Sequence, residues 1–533
     1  MDGIPIENEY LPFAALAAGG RYFNKMTERG NMRAAGFDIG TTTVCGILID
    51  LESGRTVKTQ TRKNDSWIKG EPYERLQDPA RIWQLVQAIY QDFLAEGEIA
   101  AIGLTGQMHG MVYVDTDGNA VSPLYTWEDE RGNRPVTDAD KAKGTDSGRN
   151  TVDQAPEAAM SRDIAAAEAK TEKFNSQTYA QQLSALTGYP MATGFGLTTH
   201  YYNLKNNLIP EQAATFCTIH DYIAMKLTGR KKPLMTASDV ASFGCFDVES
   251  MHFDAAALKR AGIDASVLPE CTEDFALVGT TVDEIPVAAA VGDNQASVIG
   301  ALRSMEKSLL INIGTSSQVS MCLSLPEAKM RKELQRKLQL AGIELRPVCG
   351  DLFLMVGAGL CGGRAYALLE QFFARTVELM TGKAPENQLY EQMNALLKNR
   401  GLEDGDLKIN TRFCGTRMNP ERRGGISGLG EENFTPEEFT FGVLHGMAEE
   451  LDTFYQEMRK DGAGAPEYLI GSGNAIRSNP YLQKIFEKLF GMELQIPCHR
   501  EEAAYGAAMA AMTAAGCVDS LEQAQRLIAY EQR

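Results

Sequence analysis

The chain of 533 residues is 44% hydrophobic and 23% charged, so it can bury a large core and is not globally disordered. Its 70 acidic residues against 52 basic ones give a net charge of -18, which disfavours nucleic acids and anionic membrane surfaces as partners. The ten cysteines form no CxxC pair, and no apolar run is long enough to span a bilayer. We therefore expect a cytoplasmic protein with reduced thiols and about two to four domains.

The first regular element is predicted near Ala34, after an N-terminal extension of residues 1–32. There the run AAGFDIG, TTT, VCGILID indicates a strand, a tight polar turn and a second strand. The same design returns at residues 308–323 as SLLINIG, TSS, QVSMCL. We interpret the repeat as a duplication that produces two similar α/β lobes.

Further elements are predicted in the segments around and between these hairpins. ARIWQLVQAIYQDFLAEG has helical spacing, and AAIGLTGQMHGMVYVD indicates strand, glycine turn, strand. The Ala-rich, polar stretch at about 132–182 is predicted to be a surface helical insertion. In the second half, strand DLFLMV precedes a glycine cluster and a helix, and strand EYLIG precedes GSGNA and a helix that begins near Pro480.

The two Gly-Thr turns are candidate phosphate-binding loops, because small residues admit a phosphate while hydroxyls and free N–H groups donate to its oxygens. Asp38, beside the first turn, is a candidate ligand of a magnesium ion, whereas the second lobe has Asn312 there. The candidate phosphate-binding residues are Gly40, Thr41, Thr42, Thr43, Gly314, Thr315 and Ser316. Ordinary hairpin chemistry is the alternative for each turn taken singly.

A competing glycine motif lies at residues 357–362, where GAGLCG fits GxGxxG and indicates a dinucleotide site. Its position deep in the chain, together with the Gly-Thr repeats, disfavours NAD binding. A Walker A loop is absent, since Gly382-Lys383 is followed by Ala384.

Asp293, within VGDNQASVIGA, is a candidate general base that could take a proton from a hydroxyl attacking a phosphoryl group. A helix N-cap is the alternative role for this aspartate. GQMHG and YTWEDER combine a histidine, an indole and carboxylates as in a polyol site, with His109, Trp127 and Asp129 as candidates. A structural histidine is the alternative for His109.

Taken together and in this order, the motifs resemble those of the FGGY carbohydrate kinases, relatives of actin and Hsp70 with two ribonuclease-H-like lobes around a cleft. FDIGTTT and NIGTSS are similar to the family's two phosphate motifs, GSGNAIRSNP to its adenosine motif, and AAYGAAMAA to its C-terminal helix. The resemblance implies an N-terminal lobe at 33–298 with the sugar site, and a C-terminal lobe at 299–533 with the adenosine motif.

The resemblance also implies roles for individual residues. Asp293 would be the general base, and Asp38 would act near magnesium and the transferring phosphoryl group. ATP would be the phosphate donor, with Gly357, Gly473 and Asn474 along the nucleotide. The residues implied in sugar binding are Met108, His109, Trp127, Asp129 and Asn294.

GQMHG and the Trp-x-Asp-x-Arg run resemble the ketose kinases of the family, with sedoheptulose as the expected sugar and xylulose as the alternative. The stretch TRFCGTRMNPERRGGISGL departs from the family's xylulose-type pattern, and Arg417, Arg422 and Arg423 make it the main basic spot near the expected cleft. An actin- or Hsp70-like ATPase and a sugar-binding regulator are the rival classes; the first has no use for GQMHG, and the second would lack Asp38 or Asp293. The oligomeric state, including a homodimer, stays open.

Overall fold

The computed structural model describes residues 32–136, 177–419, 421–460 and 464–532. The strands of the first half are β1 (Arg33–Ile39), β2 (Thr43–Asp50), β3 (Thr56–Lys63), β4 (Trp67–Ile68), β5 (Leu76–Gln77), β6 (Ile99–Gly106), β7 (Val112–Val114), β8 (Leu124–Tyr125), β9 (Thr215–Cys217), β10 (Leu234–Thr236), β11 (Phe246–Asp247), β12 (His252–Phe253), β13 (Glu270–Thr272), β14 (Leu277–Thr280), β15 (Pro286–Ala288) and β16 (Val291–Gly292). Those of the second half are β17 (Ser308–Ile313), β18 (Ser317–Ser324), β19 (Ile343–Cys349), β20 (Leu352–Gly359), β21 (Lys408–Asn410), β22 (Gly425–Ser427), β23 (Tyr468–Ser472) and β24 (Leu494–Gln495).

The α-helices are distributed over both halves of the chain. They are α1 (Pro79–Leu94), α2 (Tyr179–Thr187), α3 (Gly196–Lys205), α4 (Ile219–Thr228), α5 (Ala237–Ser242), α6 (Ala255–Arg260), α7 (Asp293–Ala301), α8 (Ala328–Leu340), α9 (Gly363–Thr381), α10 (Tyr390–Arg400), α11 (Pro436–Lys460), α12 (Asn474–Ser478), α13 (Pro480–Phe490), α14 (Glu502–Ala514) and α15 (Leu521–Gln525). Short 3₁₀ helices span Arg131–Asn133 and Ala265–Val267.

Two large sheets repeat one topology. The first has the strand order β14-β15-β6-β1-β2-β3, in which β1 pairs antiparallel with β2 and parallel with β6. The second has the order β19-β20-β18-β17-β23-β24, in which β17 pairs antiparallel with β18 and parallel with β23. Strands β17, β18 and β23 therefore repeat β1, β2 and β6, which confirms the predicted duplication into two α/β lobes.

The predicted elements that fall on described residues are confirmed in kind. The helix α1 begins at Pro79 behind Asp78, whose side chain accepts from the Ala80 N–H as an N-cap. Helix α13 begins at Pro480, with the Asn479 side chain capping it. Most of the predicted extension at 1–32 and of the insertion at 132–182 lies outside the described residues.

Helices α7 and α14 pack closely against each other and carry a core that includes residues of both sheets. Ala101 and Val291 of the first sheet share one apolar cluster with Leu310 and Ile470 of the second and with the alanines of α14. The lobe boundary predicted at 298–299 falls inside α7. This helix is thus part of the packing between the lobes rather than a linker.

Two glycines allow this close approach. A Cβ on Gly103 in β6 would overlap the carbonyl oxygen of Ala507, and one on Gly506 in α14 would overlap the carbonyl oxygen of Ala296 in α7. Because both obstacles are backbone atoms, a side chain at either position requires the helix to move.

Among the described residues, none of the helices combines the length and the apolar character needed to cross a membrane.

We expect Gly103→Ala to destabilise the protein, since the added methyl group meets the backbone of α14. Overpacking of this kind costs about 2 kcal/mol or more, which corresponds to a fall of roughly 5 °C in the midpoint of thermal unfolding. Gly430→Ala is the matched control, because Gly430 is exposed and a Cβ there meets nothing within 4 Å. Equal unfolding temperatures for the two variants, measured by calorimetry, would contradict the packing argument.

Candidate active site

The two Gly-Thr turns have similar local geometry. In the first, the Gly40 N–H donates to the Thr43 carbonyl over 2.9 Å, and in the second the Gly314 N–H donates to the Ser316 carbonyl over 3.0 Å. Thr42 and Thr43 are exposed, as are Thr315 and Ser316. Both turns therefore present hydroxyl groups to solvent, as a phosphate-binding loop requires.

The predicted sugar-binding segment lies beside the first turn. The Trp127 Nε1–H donates to Thr41 Oγ1 over 3.0 Å, and Thr41 Oγ1 donates to Gln107 Oε1 over 3.3 Å. The Gln77 amide completes the contact by donating to the Thr41 carbonyl over 2.8 Å. Trp127 is 48% exposed, so part of its indole stays open to a ligand. The structure thus brings a predicted sugar residue and a predicted phosphate turn together.

Asp129 has a different setting from the one predicted. Its carboxylate accepts from Arg131 Nε over 2.6 Å, from the Arg131 N–H over 3.1 Å and from the Arg75 N–H over 3.0 Å. Asp129 has no exposed surface, and Arg131 also lies over the ring of Tyr125 at 4.1 Å. In this conformation Asp129 shapes the loop that carries Trp127, and the structure does not place it in contact with the cleft.

His109 is fixed in position and charge state. Its backbone has φ 71°, its Nδ1 lies 2.7 Å from the Ser242 carbonyl oxygen, and its ring stacks on Phe195 with 4.7 Å between centroids. Burial lowers the pKa of His109 to about 4, and the nearby Arg346 charge acts in the same direction. The imidazole is therefore neutral at pH 7, with Nδ1–H donating to Ser242 and Nε2 left as an acceptor for a hydroxyl.

The short helix α5 supports both His109 and the candidate base. Ser242, its last residue, holds His109, while the Ser238 Oγ accepts from the Gly292 N–H over 3.1 Å. Gly292 is also covered by the side chain of Met108, which a Cβ at this position would overlap. Asp293 follows as the first residue of α7, whose N-cap is Gly292. The alternative role of Asp293 as a helix N-cap is therefore wrong.

The pKa values of Asp293 and Asp38 are both raised, and the charge of Asp293 contributes to the shift of Asp38. Burial raises the pKa of Asp293, an effect that His220, Arg346 and the Asn294 N–H partly oppose. Burial, together with the charges of Asp293 and Glu501, raises the pKa of Asp38 to about 7. Two buried carboxylates with raised pKa values, one of them raised further by the charge of the other, indicate a site suited to acid–base chemistry near neutral pH.

The surroundings of Asp38 fit a magnesium ion. The causes of its raised pKa are burial and two neighbouring carboxylates, all of which disfavour the ionised form. A divalent cation at this position would offset them, and a carboxylate oxygen is the ligand type that magnesium prefers. Asp38 is the residue that would hold the ion.

The second turn forms part of a cluster of close backbone contacts in the C-terminal lobe. The Gly363 N–H donates to the Gly314 carbonyl over 2.9 Å, and Gly473, with φ 86°, packs on the backbone of Ile313. Asn474 begins α12 directly after Gly473. These predicted nucleotide residues adjoin the second turn. Gly357 lies instead within β20, where the side chain of Phe454 covers it.

Several residues around the site were not predicted. Two of them, Gln318 and Arg346, hold Asn294, which is predicted to bind sugar: Asn294 donates to Gln318 Oε1 over 2.9 Å and accepts from Arg346 over 3.0 Å. His220 Nε2 lies 3.0 Å from Asp239 Oδ1, and with Asp221 they form a fully buried group behind the base. The sequence did contain a signal for Arg346. Glu344 and Arg346 are two residues apart in the otherwise apolar run IELRPVC, and alternate residues of a strand share one face, so the two charged side chains are expected to lie side by side.

Comparison with known families places most of the chain in one group. The N-terminal domain model of the FGGY family of carbohydrate kinases matches residues 34–155 and 150–303, and the C-terminal domain model matches 309–515. The chain is 25% identical to a sedoheptulokinase of Mus musculus over 515 residues, covering 89% of this chain and 96% of that protein. It is 26% identical to a sedoheptulokinase of Homo sapiens over 518 residues, with the same coverage.

A solved structure supports the fold. The ligand-bound xylulose kinase from Lactobacillus acidophilus superposes with a TM-score of 0.72 at 18% identity, covering 94% of this chain and 93% of that chain. Since domain models match both lobes and span most of the sequence, the chain belongs to the FGGY family of carbohydrate kinases.

Proposed function

We propose that this carbohydrate kinase transfers the γ-phosphoryl group of ATP to the terminal primary hydroxyl of a ketose, with sedoheptulose 7-phosphate as the product. The observation that carries the proposal is the position of Asp293. It begins α7 beside the segment of Met108 and His109, within electrostatic reach of Asp38 at the first phosphate turn.

In this mechanism Asp293 accepts the proton of the terminal hydroxyl as its oxygen attacks the γ-phosphorus. The bond between that phosphorus and the β,γ-bridging oxygen breaks, and ADP leaves with the electron pair. His109 Nε2 accepts a hydrogen bond from a sugar hydroxyl, and the exposed indole of Trp127 packs against C–H groups. The two Gly-Thr turns orient the phosphates, and closure of the lobes excludes water.

Magnesium, when bound at Asp38, would neutralise charge on the phosphates. Asp38 is suited to this role because it lies next to the first turn, and because burial and the neighbouring carboxylates that raise its pKa would be offset by a cation. Gly473 and Asn474 are proposed to lie along the nucleotide, beside the turn of Gly314 and Thr315.

The relatives support sedoheptulose as the proposed sugar. The two sedoheptulokinases are 25% and 26% identical to this chain, a xylulose kinase of Staphylococcus xylosus is 22% identical, and a glycerol kinase of Alteromonas mediterranea is 24% identical. Xylulose is the alternative substrate, followed by other ketoses and polyols. A cytoplasmic location is proposed as well, in keeping with ten free cysteines and the need for ATP.

We expect Asp293→Ala to lower sugar-dependent turnover by at least about 100-fold, because the attacking hydroxyl loses its proton acceptor. ADP formation would be followed by a coupled assay, and ATP binding, which should stay nearly intact, by calorimetry. Asp264→Ala is the control, since Asp264 is exposed and caps only a short 3₁₀ turn. Turnover of Asp293→Ala near that of the control would rule out the assignment of the base.

A panel of sedoheptulose, xylulose, ribulose and fructose, each assayed with ATP, identifies the substrate. We expect sedoheptulose to give the highest kcat/KM, and ³¹P NMR of the product to show a phosphomonoester at the terminal carbon. ADP release that does not depend on any sugar would instead support an ATPase of the actin or Hsp70 type. A higher kcat/KM for xylulose would instead identify xylulose as the substrate.

A further inference from the structure

Arg346 reaches the candidate active site from the C-terminal lobe. It lies in β19, the edge strand of the second sheet, and β19 packs against α5, the helix that supports His109 and Gly292. The Arg346 side chain is 13% exposed. An arginine in this position brings a permanent positive charge to the wall of a site otherwise lined by carboxylates.

The guanidinium of Arg346 is held at a fixed angle. Its Nε and one terminal nitrogen donate to Glu344 Oε2 over 2.9 and 2.6 Å, and the other terminal nitrogen donates to Asn294 Oδ1 over 3.0 Å. Glu344 also forms an ion pair with Arg417, so one carboxylate serves two guanidinium groups. The local group therefore keeps an excess of positive charge.

Asn294, the residue after Asp293, is held by two side chains of the C-terminal lobe. Its oxygen accepts from Arg346, and its amide nitrogen donates to Gln318 in β18. Both partners belong to the second sheet, while Asp293 lies among elements of the first. The start of α7 is thus held by side chains of the second sheet.

The charged groups that face Asp293 come from four elements. They are Asp38 of β1, His220 of α4, Asp239 of α5 and Arg346 of β19. Burial lowers the pKa of His220, which reduces its positive charge at neutral pH, and burial raises the pKa of Asp239. Of these groups, Arg346 is the one that stays cationic at every pH the enzyme meets.

We infer that Arg346 is a positioning residue for the base: it holds the first turn of α7 through Asn294 and brings a permanent positive charge to the base from the C-terminal lobe. The inference rests on the proposed function, in which Asp293 is the general base. In addition, the C-terminal lobe supplies the positive charge of Arg346 and its contact with Asn294, which together prepare Asp293 to accept a proton.

The test is the pH dependence of kcat/KM for the sugar at saturating ATP and magnesium, in the wild type and in Arg346→Met. Loss of the cation raises the pKa of Asp293, so more of the base is protonated on the acid side and the acid limb moves to higher pH. For a shift of about one unit, we expect the loss to approach about tenfold at pH values well below the wild-type acid limb and to disappear at pH values above the acid limb of the variant. A loss of the same size at every pH would overturn the inference.

Arg400→Met is the matched control. Arg400 is also a mostly buried arginine of the C-terminal lobe. Its Nε and Nη2 donate to the two carboxylate oxygens of Glu438 over 2.8 and 3.0 Å. Its loss should lower the unfolding temperature but leave the acid limb in place. A shift of the acid limb in this variant as large as in Arg346→Met would also overturn the inference.

Arg346→Lys keeps the test decisive if Arg346→Met does not fold. Lysine retains the charge but cannot repeat the two bonds to Glu344, so we expect the wild-type acid limb with a lower kcat. An acid limb displaced by one unit or more in Arg346→Lys would contradict the electrostatic role. Since Asp293→Ala tests the base directly, a failure at Arg346 alone leaves the proposed function standing.

Discussion

The close contact between α7 and α14 is the constraint on which the remainder of the molecule depends. Glycine and alanine at the crossing let the two backbones approach until a single added Cβ meets a carbonyl oxygen. Helix α14 also packs on β1 and β6, so the strand that ends in the first phosphate turn and the helix that begins with the base share one support. The distance between Asp38 and Asp293 is therefore set by backbone packing rather than by flexible side chains.

This arrangement places ionisable groups where burial would neutralise them. The raised pKa of Asp38, about 7, and the raised pKa of Asp293 are consequences of removing two carboxylates from water in one small region. Protonation or a nearby cation relieves such a site, and the structure supplies one cation as Arg346. In the proposed function, magnesium at Asp38 would supply a second.

Much of the fold could be predicted from the sequence because its signals are local. Strand, polar turn and strand around Gly40 and again around Gly314 identify both hairpins, and the capped helices at Pro79 and Pro480 are visible as short patterns. The packing role of α7 could not be predicted, since its sequence is that of an ordinary helix following a strand. Its role between the sheets depends on contacts with α14, which lies two hundred residues later in the chain.

Candidate site residues could likewise be proposed where the signal is local, and not where it depends on contacts between distant segments. Asp38, His109 and Asp293 could be proposed as site residues because their neighbours are small or polar in recognisable runs. Asp129 was assigned to the sugar because its sequence context suggested it, yet the partner that occupies it, Arg131, is just two residues away. Arg346 and Gln318 were missed because they act on Asn294 from the other lobe: the alternating charges at 344 and 346 indicate a shared face of the strand, but not what that face contacts.

The difference between the two turns explains how a duplicated framework can form an asymmetric site. Asp38 and Asn312 occupy equivalent positions beside the hairpins, but Asn312 donates to Ser472 Oγ over 2.8 Å and thereby binds its own lobe together. A carboxylate at position 312 would repel the phosphates of the nucleotide, which is proposed to lie along this second turn. The neutral amide removes that repulsion. One lobe can then concentrate negative charge where a metal ion and a proton acceptor are needed, while the other offers neutral donors to the nucleotide.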